Sequence, residues 1–432
     1  SFEPNESFAM NLSNPFNATI RVQGTGTILN DDVEGGFISL SQANYSVSES
    51  TGFLTIAVNR TNDTSRAATV DYATDATGAP ASCATVNGLA SSRCDFTTAV
   101  GTLKFAAGET QKTFTVLVNG DSYVEGPELF AINLSNPTGG AVLIAPSSAM
   151  VTITDGPTGP PANLIDDARF FVRQHYHDFL NREPDPSGWD FWTNNINNCT
   201  PQPSCTELQR INTSAAYFLS IEFQQTGYLV ERLYKTAYGN ASGASTLGGA
   251  HQLAVPIVRF NEFLPDTQRI GQGVVVGLTG WETVLENNKV AFASEFVQRS
   301  RFTTAYATTL TPAQFVDALF ANAGVTPTAT DRNAAIAEFG SATNTSDVAA
   351  RGRALRRVAE NATLVTNEFN RAFVLMQFFG YLRRDPNTGP DTDYTGYDFW
   401  LTKLNQFNGN YVSAEMVKAF ITSLEYRQRF GP

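Results

Sequence analysis

The spacing of apolar residues changes once along this chain, and the change falls at a stretch no regular element can cross. Residues 154–164, TDGPTGPPANL, contain three prolines and two glycines. Proline has no backbone N–H to give to a helix or a sheet, and it fixes its own φ. Upstream, short runs such as GFLTIAVNR, ATVDYAT, ELFAINLS and AMVTITD alternate apolar with polar residues. Clusters of Gly, Asn, Asp and Ser separate them, the pattern of an antiparallel β-sandwich. Downstream the period becomes helical. Val172, Tyr176, Phe179 and Leu180 fall at i, i+4, i+7 and i+8. Val417, Phe420, Ile421 and Leu424 fall at i, i+3, i+4 and i+7, with Ser413 the expected N-cap. The fold class this predicts is multidomain β + α: an antiparallel β-sandwich, then a mainly α-helical region.

At 432 residues the chain is too long for one small domain, and two to four folding units are expected. Net charge is −12, with only 29 Lys and Arg and no basic run, so nucleic acid is not an expected partner. No apolar run approaches the roughly 20 residues that span a bilayer. The four cysteines form two close pairs, Cys83 with Cys94 and Cys199 with Cys205. Neither has metal-site spacing, and three histidines are too few to complete such sites. Two short disulfide loops are expected, hence an oxidising, extracellular or cell-surface location. The chain opens without Met or a signal-peptide pattern, so a processed or cut piece of a longer protein is expected. Sequons such as those at Asn17, Asn44, Asn212 and Asn361 permit surface glycosylation.

Both halves repeat themselves. The opening SFEPNESFAMNLSNP returns as SYVEGPELFAINLSNP at residues 122–137. In the helical half, FVRQHYHDFL, LVERLYKTAY, FVDALFANAG and FVLMQFFGYL share one pattern. Two of these lead into related turns, NREPDPSGWDFW and RRDPNTGPDTDYTGYDFW. A Ser-x-Glu-aromatic element also recurs, at Ser220, Glu222 and Phe223 and at Ser423, Glu425 and Tyr426.

The segments YSVSES, VDYAT, CDFTTAVGTLKFAAGETQKTFTV, GDSYVEGPELFAINLSNP and VTITD occur in an order that resembles the Calx-beta family. The resemblance covers residues 36–155 as a complete domain, and residues 1–33 resemble the C-terminal part of a truncated unit. After a linker at 156–165, the aromatic helix, the Arg-Glu-Pro-Asp-Pro or Arg-Arg-Asp-Pro turn and the Phe-Trp pair resemble the DUF4214 family of small helical units in secreted and surface-layer-associated bacterial proteins. Two helical domains are expected on that basis, 166–300 and 301–432, with the stretch from about 234 to 366 fitting poorly.

The Calx-beta resemblance implies calcium as cofactor. Calcium takes six to eight oxygen ligands, so carboxylates must converge from several loops. The positions carried over are Glu49, Asp95, Asp121, Glu125, Glu128 and Asp155, with Asp75 a looser candidate. This sequence has Gly120-Asp121 where the calcium-rich versions have Asp-Asp, which implies fewer or weaker ions. In the truncated unit Glu3, Glu6, Asp31 and Asp32 stand at matching positions. The loop holding Asp385, Asn387, Asp391, Asp393 and Asp398 resembles an EF-hand loop, but position twelve counted from Asp391 is Thr402 rather than Glu. Asx-turns and helix capping account for it equally well. His175 and His177, two apart on a helix, point to different faces. No nucleophile elbow, Walker loop or His-Glu-x-x-His is present, and no enzymatic activity is expected.

The function expected is that of a secreted or cell-surface structural protein, a calcium-supported adhesin or filament subunit. Its incomplete N-terminal sandwich would be completed by a neighbouring copy, head to tail. The alternative is a non-polymerising module that binds a cell-surface ligand, cut from a longer tandem-repeat adhesin; a glycan-acting hydrolase ranks third.

Overall fold

The computed structural model describes residues 5–29, 35–80, 82–156, 163–199 and 202–432. Two strands stand first: β1 (Glu6–Met10) pairs antiparallel with β2 (Gly24–Ile28). Nine more follow, β3 (Phe37–Leu40), β4 (Asn44–Ser48), β5 (Phe53–Thr61), β6 (Ala68–Asp75), β7 (Val100–Phe105), β8 (Gln111–Leu117), β9 (Glu128–Ser135), β10 (Val142–Leu143) and β11 (Ser148–Thr154). They form a sandwich of two sheets, ordered β10-β3-β5-β8 and β4-β11-β9-β6-β7. Pairing is antiparallel except where β10 meets β3 and β11 meets β4. Strand alternation turns Ile56 and Val58 of β5, Phe130 and Ile132 of β9, and Val151 and Ile153 of β11 into one apolar core. The expected β-sandwich followed by a helical region is the fold observed.

The β1–β2 ribbon uses the register of β9–β11. Glu6 faces Ile28 as Glu128 faces Ile153, and Phe8 faces Gly26 as Phe130 faces Val151. The environments differ sharply. Phe8 and Met10 are 49% and 54% exposed, whereas Phe130 and Ile132 are 2% and 0% exposed.

The helical region begins at residue 164, and its duplicated motifs become duplicated geometry. Helix Ala168–His175 runs into a π-helical turn, Tyr176–Leu180, and stops at Asn181 with φ 54°. Helix Ala362–Met376 runs into a second π-helical turn, Gln377–Leu382, and stops at Arg383 with φ 56°. The next arginine then clamps the recurring glutamate. Arg182 donates to both carboxylate oxygens of Glu222 at 2.8 and 2.9 Å, and Arg384 does the same to Glu425 at 2.6 and 2.9 Å. Ser220 and Ser423 each cap the short helix carrying that glutamate, accepting from Phe223 N and Tyr426 N. The two π turns meet directly. Phe179 and Tyr381 stack edge to face at 5.2 Å, and a Cβ on Gly380 would lie 2.5 Å from the Phe179 ring.

Two sequence expectations are corrected, and a stretch the sequence left without assignment gains one. Residues 166–300 and 301–432 do not have separate cores: one apolar cluster runs from Ile165 to Phe430, because Phe218 packs on Phe369 and Phe373 across the expected boundary. Ser413 is not an N-cap; the last amphipathic helix is Met416–Ile421, entered through Glu415 at φ 53°, and the chain turns at Thr422, leaving Leu424 69% exposed. The unassigned middle holds a hairpin, β12 (Asn240–Ser245) with β13 (His251–Pro256). Its first strand, NASGAS, carries none of the β-branched or aromatic residues that announce a strand.

Candidate metal centre

Four separate segments of the sandwich bring acids to one end of it. Glu49 opens a single 3-10 turn, Glu49–Thr51, which closes on Gly52 at φ 80°. Asp95 ends a tight turn in which its carboxylate receives the backbone N–H of Ser91 at 2.5 Å. Asp121 and Glu125 lie on the approach to β9, and Glu128 opens it. Asp155 follows β11 and accepts from the backbone N–H groups of Glu125 and Gly126 at 3.2–3.4 Å, fixing that loop.

All five acids Glu49, Asp95, Asp121, Glu125 and Glu128 are buried, none more than 9% exposed. One carboxylate oxygen from each of Glu49, Asp121 and Glu125 lies within 4.8 Å of the others. Asp95, Glu125 and Glu128 form a second such set, so Glu125 is common to both. Among the described residues no lysine or arginine forms an ion pair with any of them. The electrostatic consequence is large. Burial, then the charges of Asp121, Asp95, Asp155 and Glu125, push Glu49 up to about 9. Burial with the neighbouring acids takes Glu128 to about 9, Glu125 to about 8 and Asp121 to about 7. Burial raises Asp95 to about 6 against the opposing Ser91 hydrogen bond. Asp95 Oδ1, Asp121 Oδ2 and Glu125 Oε2 are buried with no hydrogen-bond partner. Oxygens in that condition carry a desolvation cost that a bound cation removes. The donors are hard oxygens from different loops, the chemistry a divalent cation of the calcium type requires. These residues can hold a metal ion.

The remaining candidates are dispersed. Glu6 lies exposed on β1, away from any acid cluster among the described residues; Glu3, Asp31 and Asp32 fall outside the described residues. Asp75 is exposed and spent on an Asx-turn to Thr77. The EF-hand-like loop is taken apart by separate partners: Asp385 accepts from Phe260 N, Asp391 from Arg384, Asp393 from Thr395 N, and Asp398 from Ser245. Both disulfides are formed, Cys83–Cys94 and Cys199–Cys205. His175 bonds to Phe171 O and Ser214, while His177 bonds to Asn119 and Glu183, so the two share nothing.

The acid cluster borders a cavity of about 290 Å³ whose opposite wall is helical: Leu164, Phe170, Arg173, Gln174 and His177 face Glu49, Asp121 and Asp155. No pattern in the sequence pointed to that wall, because a residue facing another domain carries no local signature.

Fold and site together define a β-sandwich with a cation-type acid cluster at one end, joined to an aromatic-rich helical region. Residues 31–157 match the family model of the Calx-beta domain, and residues 164–204 match that of a domain of unknown function, DUF4214. The chain is similar to "Extracellular matrix protein 3" of Lytechinus variegatus, 32% identical over 165 residues, which is 36% of this chain and 5% of that protein. It is also similar to "Sodium/calcium exchanger Calx" of Drosophila melanogaster, 34% identical over 111 residues, 26% of this chain and 10% of that protein. The chain thus spans only a small part of either relative's length. Among solved structures, the apo form of the Calx CBD1 domain is 32% identical, covering 28% of this chain and 96% of that one at a TM-score of 0.25. The calcium binding domain CBD12 of CALX1.1 is also 32% identical, covering 27% of this chain and 45% of that one at a TM-score of 0.24. The Calx-beta match spans the sandwich and its acid cluster, and the DUF4214 match spans the first helices after it. No helix among the described residues is long and apolar enough to cross a membrane.

Proposed function

We propose that this chain is a calcium-supported structural module of a secreted or cell-surface protein. The observation that carries the reading is the convergence of five buried carboxylates, three of them (Asp95, Asp121 and Glu125) with an unpartnered oxygen. Glu49, Asp95, Asp121, Glu125 and Glu128 would hold the ion, with Asp155 fixing the loop that presents Glu125. Bound calcium supplies charge neutralisation, which lets three loops stay in register at one end of the sandwich. On this reading the role is mechanical rather than catalytic. The two disulfides suit an oxidising compartment, where such a role is needed. Titration of calcium into the protein by calorimetry tests it, together with thermal melting in calcium and in EGTA. Calcium at 100 times its Kd is expected to stabilise the fold by ~2.7 kcal/mol. Glu125→Gln, which touches both acid sets, should abolish most of that gain; equal melting in calcium and EGTA would refute the reading.

The exposed β1–β2 ribbon supports assembly as a finer reading. It keeps the register of β9–β11 while Phe8 and Met10 stand in solvent. Strands donated by a neighbouring copy would cover that face and pair its open edges. A head-to-tail contact of this kind builds open filaments, as a surface fibre or adhesin requires. Sedimentation and electron microscopy in calcium buffer decide it. Filaments or concentration-dependent oligomers support assembly, and a monomer at all micromolar concentrations favours a non-polymerising module that binds a cell-surface ligand.

A further inference from the structure

Each of the three segments that supply acids to the cluster is also bonded to the helical region, within two residues of its acid. Two residues after Glu49, Thr51 O accepts from Arg173 Nη2 at 2.7 Å. That guanidinium sits directly over Gly52, where a Cβ would lie 1.8 Å from it. Two residues before Asp95, Arg93 donates to Leu382 O at 3.3 Å and to Glu425 at 3.1 Å, and its own carbonyl accepts from Arg429 at 3.1 Å. Around Asp121, Asn119 Oδ1 meets His177 Nδ1 at 3.0 Å and Gln174 Nε2 at 3.4 Å. Ser122 donates to Phe430 O at 3.3 Å, and Tyr123 to Gln428 O at 3.2 Å.

We infer that cation binding at the acid cluster and docking of the helical region on the sandwich are one coupled equilibrium, with Arg173 a positioning residue for the ion although it is not a ligand. The inference rests on the reading of the cluster as a calcium site. Without the ion, no bridging cation ties the carboxylates of the three loops to one another, and the loops lose the link that fixes their spacing. Those loops carry the hydrogen bonds that seat helix Ala168–His175 and the C-terminal turn, residues 423–431. With the ion, the loops are held in the arrangement the helical region needs. A ligand shifts an equilibrium only through its different affinity for the two states. Here the difference lies in the spacing of the loops. Reciprocity follows: docking must raise calcium affinity by the factor with which calcium strengthens docking.

The test uses the whole chain. Hydrogen exchange is compared in calcium and in EGTA on the unmodified protein, and calcium affinity is measured by calorimetry for it and for Arg173→Ala. The expected result is slower exchange in calcium at residues 168–180 and 423–431 as well as in the acid-bearing loops. Arg173→Ala should weaken calcium binding about fivefold or more, within the usual range of coupling between sites. Simple electrostatics predicts the opposite sign, since removing a positive charge beside a cation site tightens it. Slowing confined to the sandwich loops, or unchanged or tighter calcium binding by Arg173→Ala, overturns the coupling while leaving the calcium site standing. No calcium binding by the unmodified protein overturns both. The exchange measurement needs no variant, so a folding defect in Arg173→Ala cannot mask the answer.

Discussion

At the scale of single residues, the acid cluster sets a pH dependence whose sign is fixed by burial. The carboxyls of Glu49, Glu128, Glu125, Asp121 and Asp95 all titrate above their ordinary range. The folded state therefore holds protons that the unfolded chain has released, and stability falls as pH rises through those values. In EGTA, the melting temperature should drop steadily from about pH 5 to about pH 9. Calcium replaces the protons, so in its presence the drop should largely vanish, and calcium affinity should rise with pH. Melting curves across that range in both buffers check it. Gly52 carries a second residue-scale prediction. Its φ of 80° and the Arg173 guanidinium above it both exclude a side chain. Gly52→Ala should destabilise the fold by ~1–3 kcal/mol and displace Arg173 from Thr51 O, read by chemical denaturation.

At the scale of elements, the repeated helical units are held by the same device twice. A π turn ends in a left-handed residue, and the arginine after it clamps a glutamate on a serine-capped helix. The repeat of Ser-x-Glu-aromatic was readable in the sequence, but its meaning was not. Arg182 and Glu222 are 40 residues apart, and Arg384 and Glu425 are 41 apart, so no local spacing rule pairs them. Glu222 is buried, and Glu222→Ala leaves the Arg182 guanidinium without its bidentate partner. The expected cost is ~3–5 kcal/mol in denaturant unfolding. Glu425 is more exposed but also receives Arg93, so Glu425→Ala should additionally loosen the sandwich from the helices. The hairpin Asn240–Ser245 with His251–Pro256 escaped the sequence for a plain reason: alanine, glycine and serine fit a strand only where tertiary contacts hold them. Gly243, for instance, leaves room for the ring of Tyr394.

At the scale of the whole molecule, the helical region shares one continuous apolar core and is seated on the sandwich. Asn163 at its start donates to Gly431 O near its end, which closes the region on itself. A second seat lies at the edge strand β7. The Gln268 side chain accepts from Val100 N at 2.9 Å and donates to Thr98 O, so its amide takes the place of a neighbouring strand. Gln268→Ala should speed amide exchange at Val100 about tenfold, equivalent to ~1.4 kcal/mol, without unfolding either half. The sequence by itself determined the two fold classes, the strands β5, β6, β9 and β11, the two cysteine pairs and the identity of the acids, because alternation, helical period and motif order are local properties. Only the tertiary structure decided that Glu6 joins no acid cluster among the described residues, that one core unites residues 165–430, and that the acid cluster faces a helical wall. These outcomes depend on side chains far apart in the chain, such as Arg173 and Thr51, which meet only when the two halves pack together.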